Sequence, residues 1–554
     1  MPDAATTDAT PWWKRGVIYQ VYPRSFQDTN GDGIGDLRGL ARRADYLARL
    51  GVDAVWVSPV YPSPMRDFGY DVSDFTGIDA MFGTLDDFDA LVAALHARGL
   101  KLLMDFVPGH SSNAHPWFVE AASSREAAKR DWYVWRDPGP DGGPPNNWVS
   151  EFGGPAWTLH EPTGQYYYHA FLPEQPTLNW RNPDLRAAMH DALRFWFERG
   201  VDGFRVDAFE NLVPDASLRD NPPNPNWSEK EGPARAWIGQ HTKHQPETHD
   251  IAAEMRSVAA EYGTDPECEK LMIGEIYGTF AEVVAYYGAR GEGFQLPFNF
   301  ALITARWTAP ALAGLIETYE GALPAGAWPN WVLGNHDRPR VASRVGMSRA
   351  RLATMLLLTS RGTPTIYQGD ELGMENVPIP PEAVVDPWER NVPGQGLGRD
   401  PVRTPMPWTN GPGAGFTNGD PWLPIGVPCE GPVDEQEADP RSMLAFTRAL
   451  LALRRAEPAL SLGDYRTVSV HDGVFVFERT HGARTLRVAL NLSAGVREVP
   501  DVGTVLLATQ AEPGATLPPD QGIVYAPEQV ANNNGRLDRS GPTRPAGRRR
   551  NVTG

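Results

Sequence analysis

The chain of 554 residues has 51 Lys and Arg against 69 Asp and Glu, a formal net charge of −18 at pH 7. This negative charge argues against nucleic acid and against an anionic membrane as partners. The chain has only two cysteines, an N-terminal stretch without the apolar region of a secretion signal, and no run of membrane-spanning length, so we expect a cytoplasmic protein without a disulfide framework.

Short apolar runs alternate with amphipathic stretches along the chain. Near-continuous apolar runs are typical of parallel strands covered on both faces, and eight strands are predicted, at residues 17–22, 52–59, 101–108, 203–209, 271–276, 293–300, 331–337 and 363–369. Amphipathic stretches that end in glycine, a helix C-terminal signal, lie between them, as at 37–51, 85–99 and 184–200. This order predicts the α/β class and a (β/α)8 TIM barrel.

Two connections are too long for the repeating pattern. Residues 108–178, rich in Trp, Pro, Gly and Asn, predict a subdomain inserted after the third strand, which divides the barrel into residues 12–107 and 179–458. After the fourth strand, residues 210–250 form a long polar loop, and loops of this length are usually functional.

The pattern changes after the barrel. TVSVHDGVFVFERT and TLRVALNL alternate with period two, which predicts a C-terminal antiparallel β-domain over 459–526. Residues 527–554 are polar, rich in Pro and Gly and finally basic, so we expect a disordered tail.

Residues 28–36 read DTNGDGIGD and place Asp28, Asn30 and Asp32 at alternate positions before a glycine. This spacing resembles the start of a calcium-binding EF-hand loop. The twelfth position, however, is Gly39 instead of the required Glu, and the preceding run is a strand. A turn that only reverses the chain is the alternative. We favour metal binding.

Polar residues follow the predicted strands at the carboxyl end of the barrel, where the chemistry of such folds is located. They are Asp105, His110, Arg205, Asp207, Glu275, His336 and Asp337. Each alone has a structural explanation as a helix cap or a turn residue, but converging like charges cost stability unless they are used. Paired carboxylates that face one pocket are the groups that cleave glycosidic bonds.

The surroundings of the two acids predict their roles. Glu275 lies in the more apolar run, LMIGEI, so we expect burial to raise its pKa and keep it protonated as the general acid. Arg205 lies two residues before Asp207 on the same strand face, so we expect it to favour the ionised form of Asp207, the nucleophile.

Eight ordered blocks identify a family. They are GYDVSDF (69–75), DFVPGH (105–110), QPTLN (175–179), GFRVDAF (203–209), GE (274–275), NHD (335–337), GTPTIYQGDELGM (362–374) and RDPVRTPMPW (399–408). The chain resembles the α-amylase family of glycoside hydrolases (family 13), in its oligo-1,6-glucosidase and α-glucosidase branch. The resemblance implies a retaining mechanism through a covalent glucosyl-enzyme, with Asp207 as nucleophile, Glu275 as acid/base and Asp337 as transition-state stabiliser.

The resemblance also implies a substrate-binding set: Tyr70, Asp71, His110, Phe171, Arg205, His336 and Arg399. In the family, the residue at Tyr70 stacks under the terminal glucose. The residue at Asp71 binds the terminal hydroxyls and pairs with an arginine, for which we prefer Arg399 to Arg403. Such a closed subsite restricts cleavage to the chain end.

For the DxNxDGxGD loop the resemblance implies a structural Ca²⁺ or Mg²⁺ and no organic cofactor. The implied ligands are Asp28, Asn30, Asp32, the carbonyl of Ile34, and Asp36, an all-oxygen set suited to a hard cation. The metal would brace a loop on the catalytic side and take no part in bond cleavage.

We therefore expect an exo-acting α-glucosidase of short α-1,4-linked oligosaccharides such as maltose, with transglucosylation. Small Ala208, expected on the strand that carries Asp207, favours α-1,4 over α-1,6 bonds. The alternatives are a glucosyltransferase or isomerase, such as a trehalose synthase or sucrose isomerase, and an α-1,6-preferring oligoglucosidase. A non-enzymatic transporter heavy chain is disfavoured, because all three acids are present.

Overall fold

The computed structural model describes residues 10–510 and 514–528. Seven parallel strands form one sheet: Ile18–Val21, Ala54–Val57, Lys101–Phe106, Gly203–Val206, Leu271–Gly274, Asn330–Val332 and Thr363–Tyr367. They occupy positions one to five, seven and eight of the predicted barrel, in the spatial order 5-4-3-2-1-8-7. Every residue of these strands except Lys101 is buried, as expected for a sheet covered on both faces.

Residues 293–300, predicted as the sixth strand, form no regular strand but close the barrel. The Phe298 N–H donates to the Gly274 carbonyl at 2.9 Å, and the Asn299 N–H donates to the Asn330 carbonyl at 3.0 Å. The segment thus links the fifth strand to the seventh. A Cβ on Gly274 would lie 2.4 Å from the ring of Phe294, so glycine is required at this close approach. The α/β class and the (β/α)8 barrel are confirmed.

Helices surround the sheet, and two of the predicted ones begin at strong side-chain caps, Thr84 and Asn182. The predicted helix at 37–51 is divided in two at Arg43. None of the helices in the described ranges is long and apolar enough to span a membrane. The α-helices are Trp12–Arg15, Leu37–Arg42, Ala44–Leu50, Leu85–His96, Pro116–Ser123, Pro183–Glu198, Glu247–Ala260, Phe280–Ala285, Ala301–Thr304, Ala309–Ala322, Val341–Val345, Met347–Thr359, Pro387–Asn391, Val433–Ala438, Met443–Ala456 and Pro458–Ser461.

The inserted subdomain follows the third strand as predicted. It contains the helix Pro116–Ser123 and a three-stranded antiparallel sheet of Trp135–Arg136, Gln165–Tyr168 and Trp157–His160. Phe118 of the helix stacks on Trp135 of the sheet at 5.6 Å between ring centroids. This small aromatic core holds the subdomain together, and its loops reach the catalytic end of the barrel.

A C-terminal antiparallel domain follows the helix Met443–Ala456, as predicted. Its main sheet contains Asp464–His471, Val474–His481, Arg484–Asn491, Val502–Ala508 and Gly522–Pro527, and a second sheet pairs Arg497–Glu498 with Thr516–Leu517. Buried Arg454 donates to the carbonyls of Leu358, Gly362 and Leu460, which fastens this end of the chain to the barrel. Residues 529–554 of the predicted disordered tail lie outside the described residues.

Candidate active site

The guanidinium of Arg205 is the centre of the candidate site. Arg205 is 1% exposed within the fourth strand. Its Nη1 donates to Asp105 Oδ1 and Asp207 Oδ1, both at 2.7 Å, and its Nη2 lies 2.5 Å from Glu275 Oε2. Asp105 belongs to the third strand, Asp207 follows the fourth and Glu275 follows the fifth. Three adjacent strand ends therefore bring three carboxyl groups to one cation.

Burial dominates the protonation of this cluster. It raises the pKa of Asp207 and that of Asp105, the charge of Glu275 adds to the effect, and Arg205 opposes it. Because Asp105 and Asp207 share the guanidinium of Arg205, their two carboxyl groups titrate as a unit. The sequence argument used Arg205 to distinguish Asp207 from Glu275. Because Arg205 contacts both, that argument is wrong.

Tyr70 and His336 extend the network behind Asp105. The Tyr70 hydroxyl donates to Asp105 Oδ2 at 3.0 Å and lies 2.8 Å from His336 Nε2. On the other side of the ring, Gln20 Nε2 donates to His336 Nδ1 at 2.7 Å, so Nε2 carries the ring hydrogen. Burial holds the pKa of His336 well below its usual range. The imidazole is therefore neutral, with its tautomer set by the first strand.

A buried ion pair forms one wall of the pocket. Arg399 Nη2 donates to Asp67 Oδ1 at 2.8 Å, and Gln175 Nε2 donates to Asp67 Oδ2 at 3.1 Å. Arg399 also contacts Asp386. Both members of the Asp67–Arg399 pair line the pocket. The sequence predicts Arg399 here, but with a different carboxylate partner.

That predicted partner, Asp71, lies away from the pocket. It is fully buried, and its carboxylate accepts hydrogen bonds from the Ser63 hydroxyl and from the backbone N–H groups of Arg66 and Asp67. All these partners are within eight residues of Asp71, so its carboxylate shapes the loop that presents Asp67. The prediction that Asp71 pairs with Arg399 is wrong, because Asp67 forms that ion pair and lines the pocket.

Asp337 lies on the loop after the seventh strand and is held by two arginines. Arg403 Nη2 donates to Asp337 Oδ1 at 2.7 Å, and Arg399 Nη1 lies 3.4 Å from the same oxygen. His336 Nε2 lies 3.2 Å from the other oxygen. Burial alone would raise the pKa of Asp337, but His336, Arg403 and Arg399 hold it well below its usual range. Asp337 is therefore the firmly ionised acid of the site.

Rings from the inserted subdomain line the pocket beside these acids. The rings of His110 and Phe171 lie 5.2 Å apart, and Phe152 contacts both Phe171 and Trp388. His110 Nε2 lies 3.1 Å from the Tyr70 carbonyl oxygen, and burial lowers the pKa of His110 to about 4. Aromatic and neutral imidazole groups of this kind suit the apolar faces and hydroxyls of a sugar.

The turn after the fourth strand differs from the prediction. The strand ends at Val206, so Asp207 and Ala208 follow it. Ala208 has φ 39° and ψ 44°, in the left-handed region that few residues other than glycine adopt. Its N–H donates to Glu275 Oε2 at 2.9 Å, and the residue lines the pocket. The strained turn thus brings the backbone after Asp207 to the carboxyl group of Glu275.

The pocket has a volume of about 740 Å³, its open mouth included. Sequence reasoning missed ten lining residues: Asp67, Glu151, Phe152, Glu210, Asn211, Arg235, Lys243, Tyr277, Arg338 and Trp388. Asp67 lies two residues before the GYDVSDF block and Glu210 three residues after Asp207, so closer attention to the block flanks could have found both. Most of the others lie in insertions without a recognisable pattern.

The DTNGDGIGD loop, residues 28–36, is ordered by its own side chains. The Asp28 carboxylate accepts from three backbone N–H groups and that of Asp36 from two. Across residues 10–510 and 514–528, no three His, Cys, Asp or Glu side chains are grouped to hold a metal ion. A metal site here would therefore need the Asn30 amide and the Ile34 carbonyl as well. The donor set, all oxygen, fits the chemistry of a hard cation.

Comparisons with known proteins agree with this arrangement. The profile described as "Alpha amylase, catalytic domain" matches residues 20–463, and a domain of unknown function matches residues 463–525. A probable alpha-glucosidase of Rhizobium meliloti (strain 1021) is 41% identical, covering 88% of this chain and 91% of its own. An oligo-1,6-glucosidase of Heyndrickxia coagulans is 37% identical, covering 87% and 92%.

Solved structures are similar over nearly the whole chain. The alpha-glucosyl transfer enzyme XgtA superposes with a TM-score of 0.87 at 38% identity, over 94% of this chain and all of that one. The trehalulose synthase MutB from Pseudomonas mesoacidophila MX-45 gives 0.84 at 35% identity, with the same coverage. With its barrel, its clustered acids and these matches, the chain belongs to the α-amylase family of glycoside hydrolases, in the branch of the α-glucosidases and oligo-1,6-glucosidases.

Proposed function

We propose that this protein is a retaining, exo-acting α-glucosidase that releases the terminal glucose of short α-1,4-linked oligosaccharides such as maltose. The observation that carries the proposal is the buried Asp67–Arg399 pair in the wall of the same pocket as Asp207 and Glu275. A wall of this kind leaves no path for a longer chain past the first sugar. The pair also offers a carboxylate and a guanidinium to the hydroxyls of a terminal glucose.

In the proposed reaction, an Asp207 carboxylate oxygen attacks the anomeric carbon while Glu275 gives its proton to the departing glycosidic oxygen. The C–O bond to the leaving sugar breaks, and an ester bond to Asp207 forms. Glu275, now ionised, then takes a proton from water, whose oxygen attacks the anomeric carbon and frees Asp207. The shared contact of both acids with Arg205 supports the close carboxyl spacing that retaining enzymes need.

The remaining groups hold the glucose in the proposed complex. Ionised Asp337 accepts hydrogen bonds from ring hydroxyls and stabilises the positive charge that develops at the anomeric carbon. Neutral His110 and His336 bind further hydroxyls, and Tyr70 packs against the sugar ring. Because Asp337 already has two arginine partners, its charge is fixed before substrate arrives, and no reorganisation is needed in the transition state.

Transfer of glucose to a second sugar is the alternative second step. A sugar hydroxyl then replaces water as the attacking group, and the products are longer oligosaccharides or isomers. The names of two similar structures, an alpha-glucosyl transfer enzyme and a trehalulose synthase, favour this alternative. We propose hydrolysis as the main outcome, with transfer at high sugar concentration.

We also propose that the DTNGDGIGD loop, residues 28–36, binds a structural Ca²⁺ or Mg²⁺ through Asp28, Asn30, Asp32, the Ile34 carbonyl and Asp36. The loop packs against the chain near residue 417, since the Thr417 hydroxyl donates to Asp28. A cation there would strengthen the loop, and the residues of the loop take no part in the proposed bond cleavage.

Because the two acids have different roles, replacing Asp207 should slow every substrate, whereas the effect of replacing Glu275 should depend on the leaving group. Asp207→Asn is expected to lower kcat by at least about 10⁴-fold on every glucoside, since the covalent intermediate no longer forms. Glu275→Gln should spare the first step for an aryl glucoside whose leaving group needs no proton. Burst kinetics with 4-nitrophenyl α-glucoside measure both effects. Asp191→Asn, an exposed carboxylate on a barrel helix, is the matched control. Near-normal turnover of Asp207→Asn would contradict the mechanism.

The pocket wall at Ala208 is expected to set the linkage preference. Wild type should prefer maltose to isomaltose, because a small side chain leaves room for a leaving sugar held close to the wall. Ala208→Val should lower the ratio of the two kcat/KM values by roughly 10–200-fold, the effect of one or two methyl groups in a pocket. A valine at this position would also strain the left-handed backbone conformation. The melting temperature of Ala208→Val is therefore measured as well, to detect a loss of stability.

Ala208→Gly is the control, since it relieves the backbone and adds no bulk. It should keep the preference for maltose. A wild-type enzyme that prefers isomaltose would refute the linkage proposal, and sucrose isomers or trehalose as main products would favour the isomerase alternative.

The metal proposal predicts an effect on stability and little effect on rate. Removing a ligand of the native state lowers the unfolding free energy by RT ln(1 + [L]/Kd), so a chelator should lower the melting temperature while activity at 25 °C persists. Excess Ca²⁺ should restore the melting temperature. Asp32→Ala, at an exposed ligand position, should remove the response to the chelator. An unchanged melting temperature in wild type would show that no metal contributes.

A further inference from the structure

Glu210 is a buried carboxylate in the pocket that the proposed mechanism does not use. It lies three residues after Asp207, in the short helix Phe209–Asn211, and is 2% exposed. Within the described residues, its Oε2 has no hydrogen-bond partner, although Glu210 lines the pocket. A buried acceptor left unpaired costs free energy, and a water or a bound ligand normally satisfies such a group.

The long loop and the inserted subdomain each place a charged side chain in the same pocket as Glu210. Lys243 of the long loop forms an ion pair with Glu151 of the inserted subdomain. The N–H of His244, the residue after Lys243, donates to the Glu210 carbonyl at 2.8 Å. This hydrogen bond holds the loop beside Glu210. Burial raises the pKa of Glu210 to about 7, Lys243 opposes this, and Glu275 and Glu151 add to it. The unpaired Oε2 of Glu210 and the Lys243–Glu151 ion pair thus belong to the same pocket.

The position of Glu210 identifies which sugar it faces. The N–H of Phe209, the residue before Glu210, donates to the Glu275 carbonyl at 3.1 Å, so Glu210 lies beside Glu275 in the pocket. Glu275 is the group that protonates the departing oxygen, so the leaving sugar lies on its side of the bond. Glu210 therefore faces the leaving-group side of the pocket, not the terminal glucose.

We propose that Glu210, supported by Lys243, is a specificity-determining residue that accepts hydrogen bonds from the hydroxyls of the leaving or acceptor sugar. This inference rests on the proposed glucosidase function. It assigns to this chain a preference for sugars over hydroxyl-free leaving groups, and for sugar acceptors in transfer.

The test compares a leaving group that has sugar hydroxyls with one that lacks them. In Glu210→Gln, which keeps the side-chain shape, the kcat/KM for maltose divided by that for 4-nitrophenyl α-glucoside should fall by about 10-fold or more, because an amide NH2 replaces one acceptor oxygen. The fraction of glucose transferred to added maltose should fall as well. Lys243→Met should shift the ratio in the same direction.

Glu247→Gln is the matched control, because Glu247 follows the same loop, is partly exposed and pairs with Arg181. It should leave the ratio unchanged. An unchanged ratio in folded Glu210→Gln and in Lys243→Met overturns the role of Glu210, even if both substrates are cleaved. A wild type that cleaves neither substrate overturns the proposed function, and the inference with it.

Discussion

The site depends on one guanidinium that contacts three buried carboxyl groups. Without Arg205, Asp105, Asp207 and Glu275 would be like charges converging without a cation in a buried space, and leaving such charges unpaired is strongly destabilising. The same contacts fix the ends of the third, fourth and fifth strands relative to one another. The same contacts of Arg205 therefore determine both the arrangement of the acids and the packing of the strand ends. The cost of burying the acids is offset by a single side chain.

Two adjacent residues next to this cluster differ in charge, although each is in its deprotonated form. His336 is neutral because it is buried and receives a hydrogen bond from Gln20 of the first strand, whereas Asp337 is ionised because Arg399 and Arg403 contact it. These partners come from distant parts of the chain. The barrel thus arranges a neutral donor and a fixed negative charge side by side, which is what a polar substrate with a developing positive charge requires.

The barrel and its insertions make different contributions. The strand ends supply the clustered acids that we propose as the catalytic groups. The rim around them comes from the inserted subdomain and the long loop, through residues such as Glu151, Lys243 and Phe152. Loops on a rigid scaffold tolerate change, so the chemistry can stay constant while the rim varies.

The sequence by itself determined the barrel, seven of its strands and the acids at their ends, because apolar periodicity is local and parallel strands end on one face. It could not determine which side chains meet. Asp71 was expected to pair with Arg399, but Asp67 forms that pair across 332 residues. Arg205 was assigned to one acid although it contacts three, and the role of Glu210 emerged only from its neighbours. Such pairings depend on how distant segments pack, and only the tertiary structure decides that.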